Sequence, residues 1–255
     1  MTAQIHALHI VQINQNKMSA NSIEYIRLLA NLAFVVPLTF YVAKLRHSPL
    51  QNHIIAALIA LSACVDLLTY FGKLHAPPLY NIFTVIEFAL ITSFYYKLVY
   101  SKRGSLVMLI SIGVFIATFL FSALRNDTTE NYTTLWTVES ILILIHGLVY
   151  IFNIQEMPID RYFDAHLLSN MIFNMSFFFY ATVTILIFGL TDVIFRQHDI
   201  QTIKAFWAFH NMIAILKNVG FAIAFYYTGK REIYMTLEQL EKIARKLEEE
   251  GQQPD

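Results

Sequence analysis

Ser105-Leu-Val-Met-Leu-Ile-Ser-Ile-Gly-Val-Phe-Ile-Ala-Thr-Phe-Leu-Phe-Ser-Ala-Leu124 is a run of twenty residues without an ionisable side chain, bracketed by Lys102-Arg103 and Arg125. About 20 apolar residues in an α-helix, rising 1.5 Å each, cover the hydrocarbon core of a bilayer, so this segment reads as a transmembrane helix. Six further stretches match it in length and character, giving expected spans at 23–43, 50–71, 79–98, 105–124, 132–153, 167–190 and 203–228. Breakers and charges separate them: His47-Ser48-Pro49, Ala76-Pro77-Pro78, Lys102-Arg103-Gly104, Asn126-Asp127 and Met157-Pro158. Ten-residue stretches of alternating polarity, the mark of a membrane β-barrel, are missing. The expected fold is an all-α membrane protein, a seven-transmembrane-helix bundle occupying 21–229.

Composition agrees. Of 255 residues, 56% are hydrophobic and only 14% charged, with a mean hydropathy of +0.51. A soluble domain needs about 25% charged residues to face water. The 18 basic and 18 acidic residues cancel, which excludes the strong positive field of a nucleic-acid binder. A single cysteine, Cys64, excludes an internal disulfide framework and a multi-cysteine zinc site. The lipid bilayer is the one partner that composition names.

Basic residues orient the bundle. Lys44, Arg46, Lys97, Lys102, Arg103, Arg161, Lys230 and Arg231 gather on one side. The other side holds Lys17, Lys73, Arg125 and Arg196, diluted by Asp127, Glu130, Asp192 and Asp199. The lysine and arginine bias places the N-terminus outside and the C-terminus in the cytoplasm of a cell membrane, with a bacterial inner membrane as the expected location. Residues 1–20 form an N-terminal extension that lacks the apolar core and cleavage site of a secretory signal. Met18, just before the capping box Asn21-x-x-Glu24, offers an alternative start of translation. At the other end, Ile233, Leu237, Leu240, Ala244 and Leu247 recur at steps of four and three, a short heptad seam in the 230–255 tail. Either it pairs with a cytoplasmic signalling partner or a second copy, or it is a solvated amphipathic helix at the membrane surface.

Inside lipid, helices associate through close backbone approach and buried polar contacts. Ala56-x-x-x-Ala60 and Gly113-x-x-x-Ala117 are the expected small-residue packing seams, and Pro37 is expected to kink the first span. The run Phe177-Phe178-Phe179 reads as lipid-facing or interfacial aromatic surface.

The informative residues are those a bilayer rejects. Asp66, Glu87, Glu139, His146, His210 and Lys217 all lie inside expected spans, where an ionisable side chain costs roughly 2.5–3.5 kcal/mol on insertion scales. Glu87, Glu139 and His210 each fall about seven residues, or ~10 Å, below the outer end of their helices, and Asp66 sits at a similar level in an oppositely directed one. Helical spacing extends the pattern. Tyr132, Trp136, Glu139, His146 and Tyr150 share a face of the fifth span, and Asn81, Thr84 and Glu87 a face of the third. Asn170 and Asn174 are four apart in the sixth; His210 and Lys217, like Asn211 and Asn218, are seven apart in the seventh. Asp66, Glu87, Glu139, His146, Asn174, His210, Asn211, Lys217 and Asn218 therefore form the candidate ligand or ion pocket, in the outer third of the bundle. The competing reading is a buried hydrogen-bond and ion-pair network that only fixes helix register, with Lys217 neutralising Glu87 or Glu139. As metal ligands, the acids and histidine have no specific spacing.

The segment Tyr80-Asn81-Ile82-Phe83-Thr84-Val85-Ile86-Glu87-Phe88, the acid in Val138-Glu139-Ser140, and the polar seventh span with His210-Asn211 and Lys217-Asn218 resemble a group of uncharacterised bacterial seven-helix membrane proteins. That group is similar in layout to the seven-helix sensor regions that precede histidine kinases, although none of these 255 residues reads as a kinase domain. The resemblance implies a sensor or accessory module that binds a small ligand, ion or lipid. A proton- or ion-coupled transporter of a small solute is the alternative, with the parallel Tyr80…Glu87 and Tyr132…Glu139 as its only trace of an internal repeat. Retinal on Lys217 fits poorly, since Ile213 stands where an acid belongs and the sixth span has no proline. No other cofactor is implied. A nucleophile paired with a histidine motif is also missing, so the chain does not read as an enzyme.

Overall fold

Every residue described by the computed structural model, namely 22–72, 77–125, 133–155, 166–189 and 200–228, lies in a helix, at a helix end or in a short link. Seven of these helices are long and apolar enough to cross a membrane, and the chain is an integral, multi-pass membrane protein. They are α1 (Ser22–Lys44), α2 (Leu50–Gly72), α3 (Pro77–Leu98), α4 (Lys102–Arg125), α5 (Thr133–Gln155), α6 (Leu167–Gly189) and α7 (Ile200–Tyr227). The extension 1–20 and the heptad tail 230–255 lie outside the described residues.

Proline shapes the first three helices. α1 breaks into a turn at Ala33 and Phe34 before resuming as Val35–Lys44. The cause is Pro37, which offers no N–H to the Ala33 carbonyl and crowds it with its ring. Around the break Ala33 N–H bonds to Ala30 O at 3.2 Å, and Leu38 N–H reaches Phe34 O at 3.2 Å. Pro49 opens α2, its carbonyl accepting from the amides of Asn52 (3.0 Å) and His53 (3.4 Å). α3 starts on Pro77-Pro78, where a missing N–H costs nothing and φ is already helical.

The corner between α3 and α4 is tied by a side chain from a distant helix. Ser101 caps α4 by accepting from Gly104 N–H (3.1 Å). Asn153 of α5 accepts from the amides of Tyr100 (3.0 Å) and Ser101 (3.2 Å) and donates to Ser101 Oγ (2.6 Å).

Six helices close a ring in the order α1, α7, α6, α5, α3, α2, while α4 stands outside it against α5 and α3. Phe88 of α3 and Phe115 of α4 stack at 4.1 Å and 16°, sealing that flank. Half of the ring is filled with aromatic side chains: Phe94 and Tyr95 from α3, Phe173 and Phe177 from α6, Phe221 and Phe225 from α7. Their centroids lie 5.0–6.2 Å apart in tilted and edge-on pairs, the geometry the ring quadrupole favours. At the same end Asn52 Nδ2 donates to Thr228 Oγ1 (2.8 Å) and Ser169 Oγ donates to Ala224 O (2.9 Å), joining α2, α6 and α7.

Two packing expectations are corrected. A Cβ at Gly113 would meet nothing within 4 Å, and Ala117 and Ala60 are exposed. The Gly113–Ala117 seam therefore faces away from the bundle, and of the Ala56–Ala60 pair only Ala56 is buried. The close backbone approaches are made at Gly147 against Asn174 and at Gly220 against Ser176. Phe177 is not lipid-facing but 1% exposed in the aromatic core, while Phe179 does face outward.

Candidate functional site

The other half of the ring is hollow. A cavity of about 570 Å³ is lined by α1, α2, α3, α5, α6 and α7 and by nothing from α4. The change from filled to hollow occurs along five helices. Wall residues reach Leu58 in α2, Glu87 in α3, Ile143 in α5, Tyr180 in α6 and Phe221 in α7, and beyond those positions the aromatic core begins. The cavity thus has a floor. Its mouth lies where α1, α3, α5 and α7 begin, with exposed Glu24 and Lys204 at the rim.

Seven of the nine residues expected from the sequence stand on this wall: Asp66, Glu87, Glu139, His210, Asn211, Lys217 and Asn218. The acids come from three helices on one side, α2, α3 and α5, and Lys217 comes from α7. They are close enough to feel one another's charge. Lys217 acts on Asp66, Glu87 and Glu139, Asp66 acts on Glu87, and Glu87 acts on Glu139. The Lys217 ammonium lies 3.9 Å from the centroid of the Tyr180 ring, a cation–π contact that spreads its charge over an aromatic face. Glu139 is only 7% exposed. Its Oε1, like Nδ1 of His210, has no hydrogen-bond partner among the described residues.

Aromatic residues build the flank between α5, α6 and α7. Trp136 of α5 packs on Phe188 of α6 at 4.9 Å, and Phe188 meets Trp207 of α7 at 6.0 Å. The His210 ring sits among Tyr180, Phe188 and Trp207 at 5.7–5.8 Å. Trp136 is fixed by donating Nε1–H to Thr84 Oγ1 of α3 (2.9 Å), while that hydroxyl donates to Tyr80 O (2.9 Å). Both tryptophans of the chain line the cavity.

His146 and Asn174 lie off the wall. His146 shares the face of Glu139 but is seven residues further along α5, ~10 Å deeper and past the floor. It is fully buried between the rings of Phe88 (5.8 Å) and Tyr95 (5.6 Å), and neither ring nitrogen has a hydrogen-bond partner among the described residues. Asn174 belongs to the core as well, its Oδ1 accepting from the Tyr95 hydroxyl at 2.8 Å.

Sequence reasoning overlooked the contribution of α1. Glu24, Arg27 and Asn31 line the cavity at steps of three and four, one face of the helix above the Pro37 break. Tyr180, Thr184 and Phe188 form an equally regular series on α6. Among the described residues no group of three His, Cys, Asp or Glu could hold a metal ion. Such a cavity has the size of a small-molecule site, and half of the residues on its wall are polar or charged. No protein-family model, curated protein or solved structure matches this chain.

Proposed function

We propose that this membrane protein is a receptor-like module that holds a small ligand in the cavity and signals its occupancy through the bundle. The observation that carries this reading is the floor: in five helices the cavity wall gives way to the aromatic core, which closes the inner end of the hollow. The buried, unpartnered Glu139 Oε1 supports it further, because a polar atom at the base of a pocket awaits a donor. In this reading the mouth faces the cell exterior and the 230–255 tail contacts a cytoplasmic partner, the layout of the sensor regions the sequence resembles.

The full chain in lipid nanodiscs, screened by thermal shift against a small-molecule library, tests the proposal. It expects ligands that raise the melting temperature, with the shift abolished in the Glu87→Gln, Glu139→Gln double variant. Stabilisation that is insensitive to both substitutions, or none at all, defeats it.

A coupled transporter is favoured by one feature. α1 is broken at Pro37, and only 6% of its most apolar stretch is buried, so its upper half is the wall most readily moved. Reconstituted vesicles that accumulate a stabilising ligand would decide for transport; vesicles that bind it without uptake would decide for the receptor.

A further inference from the structure

We infer that the ligand is a small organic cation with an apolar body, of the arylalkylamine class. The inference rests on the reading of the cavity as a binding pocket and adds the chemistry of the occupant.

Three features of the wall select this class. The first is charge balance. Four carboxyl groups line the cavity, Glu24, Asp66, Glu87 and Glu139, against three basic side chains, of which Arg27 and Lys204 are exposed and the Lys217 ammonium is already spread over Tyr180. An entering anion meets an excess of like charge, whereas an entering ammonium completes the set, and in a low-dielectric site such matching is worth far more than in water. The second is hydrogen bonding. Glu139 Oε1 is a buried acceptor with no donor among the described residues, and an ammonium brings up to three N–H donors. The third is the division of the wall. Carboxyl groups from α2, α3 and α5 share the cavity with the aromatic cluster of Trp136, Phe188 and Trp207, so a molecule with a cationic head and an apolar ring satisfies both at once.

A bare metal ion fits less well, because the acids do not gather into a coordinating group and the hollow of about 570 Å³ holds a whole small molecule.

Three probes share one ring and chain and differ only in the head group: phenethylamine, 2-phenylethanol and phenylacetate. Titration calorimetry with the full chain in nanodiscs is expected to show saturable binding of phenethylamine, roughly tenfold or more tighter than either of the others. Asp66→Asn and Glu87→Gln are each expected to weaken it by a similar factor. Lys217→Met, which removes the competing cation, is expected to strengthen it. Leu124→Ala on the outward face of α4 serves as the control and is expected to leave binding unchanged. Phenylacetate binding best, and losing its site in Lys217→Met, overturns the cationic class while leaving a ligand pocket standing. Binding of magnesium or calcium alone, or phenethylamine binding that ignores Asp66→Asn and Glu87→Gln, overturns it too, as does an absence of heat with all three probes. The pocket itself fails only if the library screen also finds no ligand sensitive to Glu87→Gln with Glu139→Gln.

Discussion

Lys217 of α7 rests with its ammonium 3.9 Å from the ring centroid of Tyr180 on α6, at the level where the cavity gives way to the aromatic core. A cation this deep in a bundle needs a partner that spreads its charge, and the aromatic face supplies one while leaving the three acids of α2, α3 and α5 open to the cavity. Removing the ring strands the ammonium. Tyr180→Leu is expected to destabilise the purified protein by about 1–2 kcal/mol, seen as a lower midpoint of thermal unfolding. Tyr180→Phe keeps the π-face and is expected to unfold close to wild type. Equal losses in both would assign the effect to the hydroxyl.

The two glycines of opposite surroundings give a paired test of packing. At Gly147 an added Cβ would sit 2.9 Å from Asn174 Oδ1 and 3.3 Å from Phe178. Asn174 has little freedom to retreat because it holds the Tyr95 hydroxyl. Gly147→Ala is therefore expected to cost about 1–3 kcal/mol. Gly113→Ala meets open space and is expected to be neutral or to gain up to about 1 kcal/mol from better helix propensity. Denaturant titration of both variants in one detergent checks the difference in sign.

Much of this architecture is legible in the sequence, and the reason is the bilayer. Seven apolar runs have to be helices, because only a helix satisfies its backbone in lipid without a neighbour. Asp66, Glu87, Glu139 and His210 are conspicuous because membrane depth makes each charge costly, and all four line the cavity. What spacing does not reveal is where a polar face runs out of cavity. His146 continues the face of Glu139, and Asn174 that of Asn170, yet the ring is filled with aromatic side chains at their depth. Nor could α1 be recognised as a wall, since Glu24 and Arg27 lie near a span end where charges are cheap and carry no signal. Sequence alone also does not separate Tyr180 and Trp207, both on the cavity wall, from the headgroup anchors that Tyr and Trp often form. The Gly113–Ala117 spacing misled for a similar reason: small residues permit close packing but do not say which neighbour, if any, arrives.

Asn153 ties α5 to the α3–α4 corner through three hydrogen bonds, and it is nearly fully buried there. Asn153→Ala takes their shared acceptor from the amides of Tyr100 and Ser101, and one of two donors from Ser101 Oγ, which keeps Gly104 N–H. The expected loss is about 1–3 kcal/mol, concentrated locally. Hydrogen exchange should accelerate at Tyr100, Ser101 and Gly104 before it changes in α6 or α7. Uniform acceleration across the bundle would mean that the corner is coupled to global unfolding.

His146 provides the sharpest test of whether every buried polar group in this bundle serves the pocket. Its ring is fully enclosed, lies past the cavity floor, packs against Phe88 and Tyr95, and has neither nitrogen paired among the described residues. A buried polar group without a partner is a cost, so an apolar side chain of similar volume removes the penalty and keeps the packing. His146→Met is expected to be neutral or stabilising by about 1 kcal/mol, measured as an unchanged or higher unfolding midpoint. If His146 instead belongs to a register-fixing polar network, the same substitution lowers the midpoint and His146→Gln restores part of it. Binding of the cavity ligand discriminates again, because a residue beyond the floor leaves the affinity unchanged in His146→Met, whereas a hidden extension of the pocket to that depth weakens it together with Glu139→Gln.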